Sequence, residues 1–175
     1  MKHLPYDAVL FDLDGTLCNA EKGIISSARY AMAQLKQPIP EDADLRDLVG
    51  PSLYQSFVEI LGIPPDMAGQ AMKLYRDYFE REGMLAYTVY PHIRSILQTL
   101  RANGAYLAVA TTKPEKYAVA VLDRFSLSHY FHRIVAERDD QYTIQKPELV
   151  RRALPDPTAL PASRRGWSRV PTGHA

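Results

Sequence analysis

The sequence predicts an α/β protein in which a parallel sheet is interrupted, directly after its first strand, by a block of helices. Three observations carry that prediction. The runs Ala8–Phe11 and 106–110 are short, continuous and apolar, as strands buried on both faces are. Strand and helix patterns alternate through the second half of the chain, the signature of a parallel sheet. Between the first two strands, from 19 to about 83, the periodicity is helical throughout.

Each element follows from its own residues. Ala8–Phe11 ends at Asp12-Leu13-Asp14-Gly15, where Asp-Gly marks a turn. Ile24, Ile25, Ala28, Ala31, Met32 and Leu35 fall on one helical stripe, and Pro38 and Pro40 end it. Leu45, Leu48 and Val49 predict a short second helix, stopped at Gly50-Pro51. Leu53, Phe57, Ile60 and Leu61 predict a third, stopped at Gly62 and Pro64-Pro65. Met67, Ala71, Leu74, Tyr75, Tyr78 and Phe79 predict a fourth, ending at Gly83. Four helices with short breaks read as a small bundle, its aromatics as core. Ile93, Ile96, Leu97 and Leu100 mark an amphipathic helix closed by Asn103-Gly104. The second strand runs into Thr111-Thr112-Lys113-Pro114, and Tyr117, Val121 and Leu122 continue as a helix. A third strand is expected over 131–136, and Lys146-Pro147 opens a helix carrying Leu149, Val150 and Ala153. Beyond Leu154, Pro155, Pro157 and Pro161 interrupt and Arg164, Arg165 and Arg169 crowd together, so 155–175 is expected to be an irregular or disordered tail. The expected division is a sheet domain from 1–17 and 88–154 with a helical insertion over 18–87.

Composition narrows the function classes. At 175 residues with 46% hydrophobic side chains, the chain is globular and long enough for one domain plus an insertion. A net charge of +1 gives no global field to attract nucleic acid, a membrane surface or an acidic partner. No apolar run approaches the length of a membrane span, and 1–7 contains no signal-like apolar core. Cys18, the one cysteine, leaves no disulfide within the chain and suits a reducing compartment. The expectation is a soluble, cytoplasmic protein.

The chemistry concentrates in three motifs. Phe11-Asp12-Leu13-Asp14-Gly15-Thr16-Leu17 puts two carboxylates at the C-terminal end of a buried strand, where open α/β sheets place ligands. One acid can attack phosphorus while the other handles the proton of the leaving oxygen. Such a pair also attracts a hard cation such as Mg2+, which binds through one or two carboxylates plus substrate phosphate. Thr111, ending the second strand, offers a hydroxyl, and with Thr112 reads as a phosphate cradle at a helix start; the plainer reading is a helix N-cap. Lys146 follows the third strand and suits neutralisation of an anionic centre, with Lys113 as its competitor. His129 and His132 lack a nearby third ligand, so a metal site there is not expected.

The string Asp12-x-Asp14-Gly15-Thr16-Leu17 after an apolar strand resembles the first motif of haloacid dehalogenase-like hydrolases, and Ala110-Thr111-Thr112-Lys113-Pro114 looks like the phosphoglycolate-phosphatase version of the second. The resemblance runs from about Tyr6 to about Arg152. It implies a Rossmann-like core under a helical cap, Asp12 as nucleophile through an aspartyl-phosphate, and Asp14 as general acid and base. It further implies Thr111 on the transferring phosphoryl group and Lys146 as the family lysine. Mg2+ would be held by Asp12 and by Asp14 through its main-chain carbonyl. Gly15, Thr16 and Thr112 would bind substrate. Gly50-Pro51-Ser52-Leu53 is similar to a cap loop of phosphoglycolate-phosphatase-like and nucleotidase-like members, which adds Gly50 and Ser52. Cys18 and Asn19 would lie near the cap hinge. The family also places one or two acids after a further strand beyond the lysine. The only acid after Glu148 is Asp156, set between two prolines, and Asp139 and Asp140 precede Lys146.

These readings predict a Mg2+-dependent phosphatase for a small phosphorylated metabolite, phosphoglycolate-like or a nucleotide monophosphate. A mutase is a close mechanistic relative, and Asp14 speaks against a dehalogenase. The rival is a catalytically incomplete, shortened or frameshifted member without the last acidic motif. Its sheet would be incomplete on the C-terminal side, with the Asp12 strand as an open edge available to a second chain.

Overall fold

The structure, a computed structural model, describes residues 6–137 and 145–156. Strand β1 (Ala8–Phe11) pairs in parallel with β4 (Tyr106–Pro114), and β4 pairs in parallel with β5 (Arg133–Glu137), giving the order β1-β4-β5. Among the described residues β1 therefore has one neighbour and an open outer edge. β4, in the middle of the sheet, is buried on both faces over Leu107 to Thr111, which explains its unbroken apolar run, while β1 at the edge is half-buried. Leu107 and Val109 face one core, with Val9 and Phe11 beside them. Ala108 and Ala110 face the other, against Leu149 and Ala153 of helix α6 (Lys146–Ala153). The small alanines let α6 lie close to the sheet. Helices α4 (Ile93–Ala102) and α5 (Glu115–Arg124) bury Ile93, Leu97, Val121 and Leu122 in the first core.

The insertion is built on two long helices instead of the expected four. Helix α1 (Glu21–Gln34) packs on α3 (Pro65–Arg81), with Tyr30 stacked on Tyr78 at 4.7 Å. Leu45–Leu48 is a single 3-10 turn capped by the Asp44 side chain. The predicted third helix is one α turn, α2 (Leu53–Gln55), running directly into a π turn over Ser56–Ile60. Ser52 and Gln55 close α2 with a capping box, and prolines and glycines on both sides leave no length for propagation. A two-stranded antiparallel ribbon, β2 (Cys18–Asn19) with β3 (Thr88–Val89), ties together the two chain crossings into and out of the insertion.

Two other boundaries differ from expectation. β4 continues through Thr111, Thr112 and Lys113 to Pro114, with a register irregularity between Ala110 and Pro114. The Thr111 hydroxyl therefore sits in extended chain and not at a helix start, because α5 begins only after Pro114. β5 starts at Arg133, since Ser128–Tyr130 form a 3-10 turn that Phe131 terminates.

Polar links join insertion and core. Glu80 of α3 accepts from Lys116 Nζ and Tyr117 Oη, each at 2.8 Å, and Arg124 donates to the carbonyls of Met84 and Leu85. Among the described residues no helix is long and apolar enough to cross a membrane. The expected tail, apart from Pro155 and Asp156, and the acids Asp139 and Asp140 lie outside the described residues.

Candidate active site

The parallel strands deliver Asp12 and Thr111 to the same, C-terminal edge of the sheet. Phe11 pairs with Val109, so the residue after each strand centre emerges beside the other. The chain turns sharply after Asp14. Gly15 has a φ of +78°, which an L side chain resists. Thr16, Leu17 and Cys18 all donate to the Leu13 carbonyl, closing a compact loop. That loop holds both carboxylates while burying Leu13 and Leu17.

Asp12 is held from two sides. Its Oδ1 accepts the Leu13 amide at 2.7 Å, and its Oδ2 lies 2.6 Å from Lys146 Nζ. The same ammonium donates to the Ala110 carbonyl at 2.8 Å, so the start of α6 anchors the charge across the sheet edge. Both side chains are 39% exposed and reachable by an incoming anion.

Asp14 sits in a closed environment. Lys113 Nζ lies 2.8 Å from its Oδ2, and the pair is only 9% and 15% exposed. The Tyr87 hydroxyl donates to the same oxygen at 3.2 Å and accepts from Lys113 at 2.8 Å. The ammonium rests over the rings of Phe79 at 4.6 Å and Tyr87 at 5.1 Å. Burial, and then the Asp14 charge, hold the Tyr87 phenol well above its ordinary range. Burial and Asp14 likewise push the Cys18 thiol up to about 12. Asp14 Oδ1 is buried with no hydrogen-bond partner among the described residues.

Asp12, Asp14, Thr111, Thr112 and Lys113 form the floor of a cavity of about 100 Å3. Gly50 and Ser52 line it from the insertion, with Phe57, Leu61, Tyr75 and Phe79 making an apolar roof. Six of the residues expected from sequence thus meet here: Asp12, Asp14, Thr111, Thr112, Gly50 and Ser52. Lys146 reaches Asp12 from below. Gly15 and Thr16 are exposed in the turn and are not among the lining residues. Thr111 Oγ1 accepts the Lys113 amide at 3.2 Å, which orients the hydroxyl within the strand irregularity.

The two lysines have separate tasks, since Lys146 serves Asp12 and Lys113 serves Asp14. Tyr87 is the residue sequence reasoning missed. It is a lone tyrosine at the end of the insertion, 73 residues from Asp14, and no local pattern signals that contact. Phe79 was legible as core but not as a wall around an ammonium.

Magnesium is the group the resemblance implies. Its usual donors are one or two carboxylates supplemented by further oxygens, and the half-exposed Asp12 carboxylate with the main-chain carbonyl of Asp14 is a donor set of that kind. Among the described residues no group of three or more acid, histidine or cysteine side chains gathers at one point.

Comparison with known proteins gives the following. The family model described as haloacid dehalogenase-like hydrolase matches residues 9–159. A 5'-nucleotidase of Pseudomonas aeruginosa is 34% identical over 151 residues, which are 86% of this chain and 68% of that protein. The tyrosine-protein kinase PtkA of Mycobacterium tuberculosis is 32% identical over 87% of this chain, which spans about half, 52%, of its length. A phosphoglycolate phosphatase of Vibrio cholerae is 28% identical over 80% of this chain and 65% of its own. Among solved structures, a predicted phosphatase from Clostridium acetobutylicum superposes with a TM-score of 0.75 at 37% identity, covering 85% of this chain and 68% of that one.

Proposed function

This chain belongs to the haloacid dehalogenase-like hydrolases, and we propose that within that family it is a magnesium-dependent phosphatase for a small phosphate ester, phosphoglycolate-like or a nucleotide monophosphate, in a cytoplasmic setting. The observation that carries the reading is the separation of the two carboxylates: Asp12 paired to Lys146, and Asp14 paired to Lys113, on the floor of one cavity. Environments this different suit different roles, as paired catalytic carboxylates require.

Asp12 is the nucleophile. One of its oxygens attacks phosphorus, the bond from phosphorus to the ester oxygen breaks, and the phosphoryl group passes to Asp12. Asp14 gives its proton to the departing oxygen, then takes one from the water that attacks the aspartyl-phosphate. Water breaks the bond between phosphorus and the Asp12 oxygen, releasing inorganic phosphate and restoring both acids. Thr111 and the backbone of the β4 end bind the phosphoryl oxygens. Lys146 offsets negative charge as it develops, at the open edge of a site roofed by apolar side chains. Magnesium, held by the Asp12 carboxylate and the Asp14 main-chain carbonyl, would supply further positive charge at the phosphoryl oxygens.

A second reading, of a catalytically incomplete member, draws on one observation: the Lys146 ammonium occupies Asp12 Oδ2. The test for both is Mg2+-dependent phosphate release by the full chain from phosphoglycolate, nucleotide monophosphates and a chromogenic ester, with Asp12→Asn as blank. Activity that disappears in the variant supports the phosphatase. Folded protein that never exceeds the blank supports the incomplete member.

A further inference from the structure

We propose that the roof of the cavity carries a carboxylate subsite, made by the Ser56 hydroxyl and the Arg76 guanidinium, which selects a small phosphorylated acid over a nucleotide. The subsite rests on the phosphatase reading for its substrate and deepens that reading by naming the substrate class.

Ser56 is 4% exposed and lines the cavity from the insertion. Its backbone groups are both used. The amide donates to the Ser52 carbonyl at 2.9 Å, and the carbonyl accepts the Leu61 amide at 3.0 Å, the bond that makes this turn a π turn. Such turns are uncommon and recur at functional sites. The other buried or capping serines of the insertion spend their hydroxyls within the fold. Ser27 donates to the Gly23 carbonyl at 2.7 Å, and Ser52 is taken up by Gln55. The Ser56 hydroxyl makes no hydrogen bond among the described residues, and unlike Asp14 Oδ1 it retains accessible surface. An unpaired hydroxyl beside Phe57, Leu61 and Phe79 is unfavourable, and a polar group on the substrate relieves that cost.

Arg76 supplies the charge. It lines the same cavity from α3, and Phe57 meets Tyr75 edge to face at 6.1 Å, so the π turn packs on α3 beside both residues. Hydrogen bonds from Lys116 and Tyr117, and to a lesser extent the Arg76 charge, hold Glu80 below the ordinary carboxylate range. A guanidinium has five N–H donors and a bidentate carboxylate takes two of them, so a neighbouring acid does not exhaust it. Lys113, the other cation among the described lining residues, is engaged by Asp14 at 2.8 Å. A donating hydroxyl with a guanidinium matches the two oxygens and the charge of a carboxylate. The cavity, about 100 Å3, is well below the roughly 300–1,000 Å3 of sites for drug-sized ligands, which calls for a short organic part. The phosphoryl group then sits on the floor at Asp12 and Thr111, and the acid meets the roof.

The test compares phosphoglycolate with ethyl phosphate, which keeps the two-carbon ester and lacks the acid, and with adenosine monophosphate. Each is assayed as a substrate of the full chain with Mg2+, and as a ligand of Asp12→Asn by calorimetry, where turnover does not intervene. We expect phosphoglycolate to have the highest kcat/KM and the tightest binding of the three. Ser56→Ala should raise KM for phosphoglycolate about 10-fold with kcat nearly unchanged, the usual worth of one hydrogen bond to a charged group, and should leave ethyl phosphate unaffected. Arg76→Gln should produce the same selective loss. Removing an unpaired hydroxyl should also leave the urea midpoint unchanged or higher, whereas a hydroxyl that holds the fold would lower it. Equal effects of Ser56→Ala on both esters, a lowered midpoint, or a preference for adenosine monophosphate overturns the subsite while leaving the phosphatase standing. Carboxylate-dependent binding to Asp12→Asn that Ser56→Ala weakens, in a chain whose wild type releases no phosphate, keeps the subsite and overturns the phosphatase. Neither turnover nor such binding overturns both.

Discussion

Replacing Gly23 by alanine tests how the insertion is held over the site. Gly23 is buried in α1, against the start of the 3-10 turn Gly83–Ala86. A Cβ at Gly23 would lie 2.2 Å from the Gly83 carbonyl oxygen and 3.0 Å from Tyr87 Cε2. Carbon–oxygen contacts settle at roughly 3.3–3.6 Å, so α1 must retreat by about 1 Å. Neither wall is a flexible side-chain end that can swing aside. In an open helix the change would stabilise by about 1 kcal/mol. Overpacking against backbone costs about 1–3 kcal/mol, and the upper half of that range applies, leaving a net loss of about 1–2 kcal/mol. With a urea slope of about 2 kcal/mol/M, the unfolding midpoint should fall by about 0.5–1 M. Gly69 provides the control, because it lies on α3 with nothing within 4 Å of its Cβ position. Gly69→Ala should raise the midpoint by about 0.5 M on the same slope. The assay is urea unfolding of all three proteins followed by circular dichroism. If Gly23→Ala raises the midpoint as Gly69→Ala does, the close approach of α1 to Gly83 is wrong.

Three further outcomes are expected. Lys146→Met should reduce kcat for phosphate release by about 10²–10³-fold, the usual effect of removing one preorganised charge-stabilising donor; an unchanged kcat in a folded variant would remove Lys146 from the mechanism. Cys18 is fully buried with its thiol pushed up to about 12, so iodoacetamide at pH 8 should label it only in unfolding concentrations of urea, and rapid labelling of native protein would contradict that burial. Desolvation of the ring, stacked on Tyr106 at 4.7 Å, and the neighbouring Arg101 hold His132 below the ordinary imidazole range. The unfolded state then binds the proton first as pH falls, so this contribution to stability is complete above about pH 6.5 and is lost as pH drops through the lower folded value. Urea midpoints of wild type and His132→Gln should therefore converge on acidification, and parallel pH profiles would exclude His132 as the source.

The sheet and its insertion were legible because their signals are local. Continuous apolar runs reported Ala8–Phe11 and the start of β4, and the spacings of three and four reported α1, α3 and α4. The short elements of the insertion were not, since Leu45–Leu48 and Ser52–Ile60 carry helical spacings too brief to fix their hydrogen bonding. The extension of β4 through Lys113 was also hidden, because pairing with β5 draws polar residues into the strand.

The sequence by itself determined the chemistry available: Asp12 and Asp14 at a strand end, a hydroxyl at Thr111, and two candidate lysines. Those residue types and spacings follow from covalent order. Only the tertiary structure decided which lysine serves which acid, placing Lys146 at 2.6 Å from Asp12 and Lys113 at 2.8 Å from Asp14. It alone brought Tyr87 and Phe79 onto Lys113 and gave the two oxygens of Asp14 unlike surroundings. The physical reason is that such pairings depend on side chains meeting across dozens of residues, through the docking of the insertion on the core, and no local periodicity records where two distant surfaces meet.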